Sequence, residues 1–277
     1  MLKITTLVED TKGEHLALQN EHGISFYIEK DDGHKILFDT GQSDAFLYNA
    51  AQMRIDLSNL DLVILSHGHY DHSGGFCSLA NISNSFQLCI GQGFFYEKYA
   101  FRNGTYDFLG NNFDESFLLE KKISYQHVSE PVQEILTGMF ILSNFPRIHY
   151  DEEVNSRFRL RRNGVFDQDL FDDEILLVVD TPRGLVVFLG CSHPGVRNML
   201  DAVRERLQRP IHAVIGGTHL AEAKEPTVEK FLEYLATNRE IGIIGLSHCT
   251  GKKVVSRLQK SDARFFHNVT GSSLFLE

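Results

Sequence analysis

Apolar residues fall first into short runs of strand length and then, in the second half of the chain, into strand-length and helix-length segments that alternate. Leu2 to Val8 and Ile24 to Glu29 cluster or alternate apolar positions. Lys35-Ile36-Leu37-Phe38 is a third run that stops at Asp39-Thr40-Gly41, so an N-terminal β meander is predicted. A helix is predicted from Ser43 through Met53, with Asp44 in its first turn, then a strand over Leu60 to Leu65, a helix over His72 to Ala80 and a strand over Phe86 to Ile90. From Gly91 to about Glu134 the periodicity weakens while aromatic residues accumulate, Phe94, Phe95, Tyr99, Tyr106 and Phe117 among them. This stretch is expected to be an insertion whose aromatics pack an irregular segment, a lid over a site or a dimer surface being the other readings. Gly138 to Leu142 resumes strand character, and Ile175 to Val179 with Leu185 to Leu189 reads as a hairpin around Asp180-Thr181-Pro182-Arg183-Gly184. Helices over Pro194 to Leu207, Glu225 to Leu235 and Gly251 to Lys260 then alternate with strands over Ile211 to Ile215 and Ile241 to Leu246. Strands in both halves with helices between them predict an α/β (α+β) fold of two mixed sheets packed together, with helices outside.

Composition narrows this picture. A chain of 277 residues with 42% hydrophobic content can bury a full core, and no linker, low-complexity tract or solenoid repeat divides it, so one domain over 1–277 is expected. No 18 apolar residues run together and Met1-Leu2-Lys3-Ile4 leads straight into strand-like sequence, which predicts a cytoplasmic protein with no membrane partner. Cys77, Cys89, Cys191 and Cys249 lack CxxC spacing and fit reduced thiols. A net charge of −10 repels polyanions, so nucleic acid is not an expected partner. The thirteen histidines are the outlier.

They gather where strands stop. Ser66-His67-Gly68-His69-Tyr70-Asp71-His72-Ser73-Gly74-Gly75 follows the buried run Leu62 to Leu65. His67 and His69, two apart in extended chain, project to one side and can share an ion. Asp71 and His72, as the chain turns toward helix, face elsewhere and can serve a second ion. His193, His219 and His248 each lie just past a predicted strand of the second half. If those strands lie side by side, their C-terminal ends converge on one edge, where ligands gather in such folds.

The HxHxDH cluster, Leu37-Phe38-Asp39-Thr40-Gly41, Gly190-Cys191-Ser192-His193 and Ser247-His248 resemble the successive motifs of the metallo-β-lactamase superfamily, an αββα four-layer sandwich with a one- or two-metal site. Glu21-His22-Gly23-Ile24-Ser25, Gly216-Gly217-Thr218-His219-Leu220 and His248-Cys249-Thr250-Gly251 resemble its dihydropterin aminobenzene-ribofuranoside phosphate synthase branch, whose named activity joins a dihydropterin diphosphate to an aminobenzene ribosyl phosphate. The resemblance implies that His67, His69 and His193 hold a first metal and Asp71, His72 and His248 a second. Asp39 would orient an imidazole from behind, and His22, Thr218 and Thr250 would support the site or face the substrate. Imidazoles with a carboxylate suit Zn²⁺, one ion or two, with Mn²⁺ or Fe²⁺ as alternatives. Two such ions lower the pKa of a shared water and hold a phosphoryl or carbonyl oxygen.

One departure stands out. Much of the superfamily carries a bridging aspartate before the last histidine, whereas Gly216-Gly217-Thr218-His219 has no carboxylate. His219 is therefore expected to act catalytically beside Asp71, its imidazolium hydrogen-bonding a phosphate oxygen or protonating a leaving group. Arg157, Arg159 and Arg161, at i, i+2 and i+4 beside Arg162, either share a strand face that holds a phosphate or decorate a solvated edge strand. Cys191 and Cys249 neighbour the expected ligands, but the histidines fill the ligand role better and small buried thiols are the default.

These features predict a metal-dependent enzyme, hydrolase or diphosphate-releasing synthase, acting on a phosphorylated, anionic small molecule, with a homo-oligomer allowed. A metal-stabilised binding or sensor protein without turnover is the alternative. A flavo-diiron oxidoreductase is disfavoured because that class has glutamate where this chain has His69, and a secreted β-lactam hydrolase because no signal peptide is seen.

Overall fold

The computed structural model describes residues 1–277. Seven strands form one sheet in the order Ser273–Leu276, Leu2–Val8, Ser25–Lys30, Lys35–Phe38, Leu62–Ile64, Gln87–Gly91, Ser124–Val128. Its first four strands pair antiparallel, as a meander does, and from Lys35–Phe38 onward the pairing is parallel. Six strands form a second sheet in the order Ile243–Leu246, Ile211–Gly216, Gly184–Leu189, Leu176–Thr181, Met139–Leu142, Val132–Leu136. Here Gly184–Leu189, Ile211–Gly216 and Ile243–Leu246 run parallel, so their C-terminal ends share one edge.

The layers follow from the period of two. In Leu62 to Leu65, Leu62 and Ile64 join a core cluster with Phe26, Phe38, Phe188 and Ile215 from both sheets. Val63 and Leu65 point the other way, into a cluster with Phe46, Phe76 and Leu118 from the helices Ala45–Gln52, Phe76–Ala80 and Glu115–Lys121. In the second sheet Val186 and Phe188 face inward, while Leu185, Val187 and Leu189 pack on Met199, Phe231 and Val254 of the helices Val196–Leu207, Glu225–Thr237 and Lys252–Ser261. Strands apolar on both faces must be covered on both, and the result is an αββα sandwich. No helix is long and apolar enough to cross a membrane.

Two segments differ from expectation. The helix predicted over His72 to Ala80 is two pieces, Tyr70–Ser73 and Phe76–Ala80, because at Gly74 and Gly75 neighbouring carbonyls approach to where a side chain would begin. The aromatic stretch is regular rather than irregular: Ser124–Val128 and Val132–Leu136 edge the two large sheets, and Glu97–Arg102 with Thr105–Phe108 forms a hairpin. That hairpin pairs with a second one, Phe158–Arg162 and Val165–Gln168, in a four-stranded sheet.

A buried ion triad anchors this small sheet. Lys98 Nζ lies 2.7 Å from Asp169 Oδ2 and 2.9 Å from Asp173 Oδ1. Burial disfavours the ammonium, yet the two carboxylates hold its pKa above the usual range. Lys98→Met leaves both carboxylates buried and uncompensated, so a loss of about 3–5 kcal/mol is expected in urea unfolding. A midpoint equal to that of the wild type would show that the triad adds no stability.

Candidate metal centre

Strand exits deliver the side chains. Lys35–Phe38 ends at Asp39, Leu62–Ile64 leads through Ser66 to His67 and His69, Gly184–Leu189 leads to His193, Ile211–Gly216 to His219, and Ile243–Leu246 to His248. Parallel pairing aligns these exits within each sheet. At the end of Ile211–Gly216, Gly216 has φ +122 and a side chain there would begin 2.0 Å from the Leu189 carbonyl oxygen, so only glycine lets the backbone pass this close.

Two groups of donor atoms result. His67, His69 and His193 bring ring nitrogens within 4.8 Å of one another, and so do Asp71, His72 and His248 with a carboxylate oxygen and two imidazoles. The Nε2 atoms of His67, His69, His193 and His248 are buried without a hydrogen-bond partner. Burial pushes the imidazoles of His67, His69 and His193 well below their usual pKa, so each keeps a free lone pair. Burial opposes ionisation of Asp71, but the charges of His72 and His248 hold its carboxyl well below the usual range. The neutral imidazoles of His67, His69 and His193, with open nitrogens, beside the ionised carboxylate of Asp71 make a donor set that fits a divalent cation.

Four of these candidate donors, His67, His72, His193 and His248, are held from behind. Asp39 accepts from Ser66 N at 2.7 Å, from Ser66 Oγ at 2.8 Å and from His72 Nδ1 at 2.7 Å. Ser66 Oγ lies 3.0 Å from His67 Nδ1. Glu174 accepts from the backbone N–H groups of Cys191 and His193 at 3.1 and 2.7 Å. Glu9 accepts from His248 N at 2.6 Å, and Asp10 lies 2.6 Å from His248 Nδ1. The pattern of residues had not singled out Glu9, Asp10 or Glu174. Their signals were weak: Glu9 and Asp10 follow the strand Leu2–Val8, which ends on the ligand edge, and Glu174 precedes an apolar strand. His22 joins the second group, with Nδ1 2.9 Å from Asp10 and Nε2 3.3 Å from Asp71.

A cavity of about 730 Å³ opens over both groups. His22, His69, Asp71, His193, His219 and His248 line it, as do Arg102, Arg157 and Lys252. The Phe158 ring stands 5.2–5.6 Å, centre to centre, from His69, His193 and His219. Phe171 stacks on His193 at 3.6 Å. His219 belongs to neither donor group. Burial, with the nearby charge of His248, pushes its pKa down to about 4, so the imidazole is neutral near pH 7, not the imidazolium expected. Thr218 and Thr250 are buried and bond each other, Oγ1 to Oγ1 at 3.0 Å, away from this cavity. Of the arginine cluster only Arg157 reaches the cavity; Arg161 pairs with Glu97 and Arg162 with Asp167.

Comparison with known proteins adds to this geometry. A family model described as the metallo-beta-lactamase superfamily matches residues 21–85. The crystal structure of a metal-dependent hydrolase of the beta-lactamase superfamily is similar over 100% of this chain and 99% of that one, with TM-score 0.86 and 30% identity. The 7,8-dihydropterin-6-methyl-4-(beta-D-ribofuranosyl)-aminobenzene-5'-phosphate synthase of Methanocaldococcus jannaschii is 29% identical over 265 residues, 91% of this chain and 88% of the relative. A diphosphatase from the PhnP family shares the fold over 100% of this chain and 98% of its own, with TM-score 0.56 and 14% identity.

The support under His72 is open to a direct test. Asp39→Asn keeps the size of the side chain but removes the charge that orients Ser66 and His72, so affinity for a divalent ion should fall about 10- to 100-fold. Competition with a chromophoric chelator measures it, and wild-type affinity would show that the orientation comes from packing alone.

Proposed function

Because this chain belongs to the metallo-beta-lactamase superfamily, we propose that it is a divalent-metal-dependent enzyme acting on a phosphorylated or diphosphate-bearing small molecule. One observation carries this: buried, unpartnered imidazole nitrogens open onto a cavity whose lining, though it includes Glu9, Asp10, Asp71, Asp107 and Glu222, also holds Arg102, Arg157 and Lys252 as donors for an anion. His67, His69 and His193 would hold one ion and Asp71, His72 and His248 a second. The donors suit Zn²⁺ first, with Mn²⁺ or Fe²⁺ as alternatives. An ion held there supplies Lewis acidity toward a phosphoryl oxygen.

The chain's own groups do the rest. Arg157 has a buried Nε without a partner, and its guanidinium, 4.3 Å from the centre of the Phe158 ring, presents donors matched to a phosphate. His219, neutral, donates its one N–H to a substrate oxygen. Phe158 and Phe171 keep water from the ligand imidazoles. A cavity of this size suits a substrate better than a closed structural site does, which favours turnover over metal-stabilised binding. The M. jannaschii relative is named as the synthase of a 5'-phosphate compound, which supports a phosphorylated substrate here. We read residues 1–277 as one domain that works in the cytoplasm.

The test is metal analysis of the purified protein, joined to a screen of phosphomonoesters, phosphodiesters, pterin diphosphates and lactones with each candidate metal. Metal-dependent turnover confined to the phosphorylated compounds is expected, and the products separate hydrolysis from synthesis. Full activity after metal removal, or activity on lactones alone, would overturn the assignment. Arg157→Ala should raise KM about tenfold or more with metal content unchanged, since a hydrogen bond to a charged group contributes about 1.5–3 kcal/mol. An unchanged KM would free Arg157 of any substrate role. His219→Ala should retain metal and lose roughly a hundredfold in kcat, the scale of one lost hydrogen-bond donor to a developing oxyanion; loss of bound metal instead would make His219 a ligand.

A further inference from the structure

The two donor groups are poor in negative charge. Their side chains comprise five imidazoles and a single carboxylate, Asp71. Two divalent cations would bring four positive charges against one carboxylate among the donors themselves, since Asp39 and Asp10 stand behind the His72 and His248 rings, and such charges repel each other strongly where water is scarce. The stretch Gly216-Gly217-Thr218-His219 contributes no carboxylate to relieve this.

One further atom lies between the groups. The Cys191 Sγ is within 4.8 Å of ring nitrogens of both His67, from the first group, and His72, from the second. Its distance to His72 Nε2 is 3.2 Å. Cys191 is 3% exposed, its backbone N–H is held by Glu174, and it lines the cavity together with His193 and His248. Cys249 Sγ also lies within 4.8 Å of the Cys191 Sγ and of a His248 ring nitrogen, but it shares no such group with His67 or His72. Its Sγ accepts the His219 N–H at 3.2 Å and occupies the space a side chain at Gly217 would need.

We infer that Cys191 is a metal ligand, a thiolate shared between the two donor groups that supplies the negative charge they otherwise lack. The inference rests on the metal reading above. When the ligand bond forms, the S–H proton leaves to solvent and no oxidant is needed. Thiolate binds Zn²⁺ well and is readily formed beside a divalent cation. A cysteine in this position biases the centre toward Zn²⁺ or Co²⁺ and away from Mn²⁺, which prefers oxygen donors.

Cobalt makes the thiolate visible. Metal-free full-length protein is titrated with Co²⁺ alone, and bound cobalt is counted while the near-ultraviolet spectrum is recorded. Wild-type protein should develop the intense thiolate-to-cobalt charge-transfer band. Cys191→Ser should lose the band and weaken the less tightly held cobalt at least tenfold, while Cys249→Ser keeps both. Cobalt bound to the wild type without the band overturns the role of Cys191 and leaves the metal assignment standing. A band that survives in Cys191→Ser, or vanishes only in Cys249→Ser, also overturns it. Failure of the wild type to bind cobalt at all overturns both. If Cys191→Ser folds poorly, Cys249→Ser decides the matter: a band that persists there assigns the thiolate to Cys191, and a band lost there overturns the inference.

Discussion

The centre hangs on the fully buried carboxylate of Asp39. Asp39 adopts a left-handed conformation, φ 57, which costs a non-glycine residue about 1–3 kcal/mol and persists only where the surroundings hold it. Here three hydrogen bonds do so, and they tie the end of one strand to the loop leaving the next. The same arrangement recurs around the candidate donors. Ser66 stands behind His67, Asp39 behind His72 and Asp10 behind His248, each on the Nδ1 side. Acceptors spent on Nδ1 fix the rings and leave Nε2 facing its neighbours. An imidazole nitrogen buried without a partner costs about 1–3 kcal/mol, and a cation coordinated there removes that cost at several nitrogens at once.

Much of this was legible in the pattern of residues because it is local. His67 and His69 follow a run apolar at every position, which marks a strand covered on both faces, and the chain leaves such a strand in a fixed direction. His193 and His248 follow strands of the same kind, and parallel pairing carries them to a common edge. The sandwich itself follows from strands that must be buried twice.

What escaped is long in range or two-sided in meaning. Asp10 and His248 are 238 positions apart, and no local spacing relates them. Arg157, Arg159 and Arg161 share a two-residue spacing, but the strand begins at Phe158, and Arg157 before it turns toward the cavity. The four-stranded sheet was hidden because its aromatics Tyr99, Tyr106, Phe108 and Phe166 pack against one another rather than into the main core. Its turns did carry a signal. Asn103-Gly104 and Asn163-Gly164 both have positive φ at each residue, the backbone of a tight two-residue hairpin. For His219 the residue type was legible and its charge was not, since charge depends on desolvation, which only the assembled cavity imposes.

The small sheet then explains how an acidic chain can gather cations beside its ligands. Lys98, paired to Asp169 and Asp173, locks the hairpin Glu97–Arg102 against the ligand loop, because Asp173 also accepts the Gly68 N–H at 2.9 Å. That hairpin carries Arg102, and the strand paired with it begins beside Arg157. Both guanidinium groups lean on one carboxylate, Glu222, at 3.7 and 2.9 Å. Glu222 ends the short helical turn Leu220–Glu222 that starts directly after His219. Any anion drawn to these two guanidinium groups would have to compete with Glu222, whose turn follows His219 directly. His219 and the carboxylate that pairs with both arginines are therefore three positions apart, at the start and the end of one short turn.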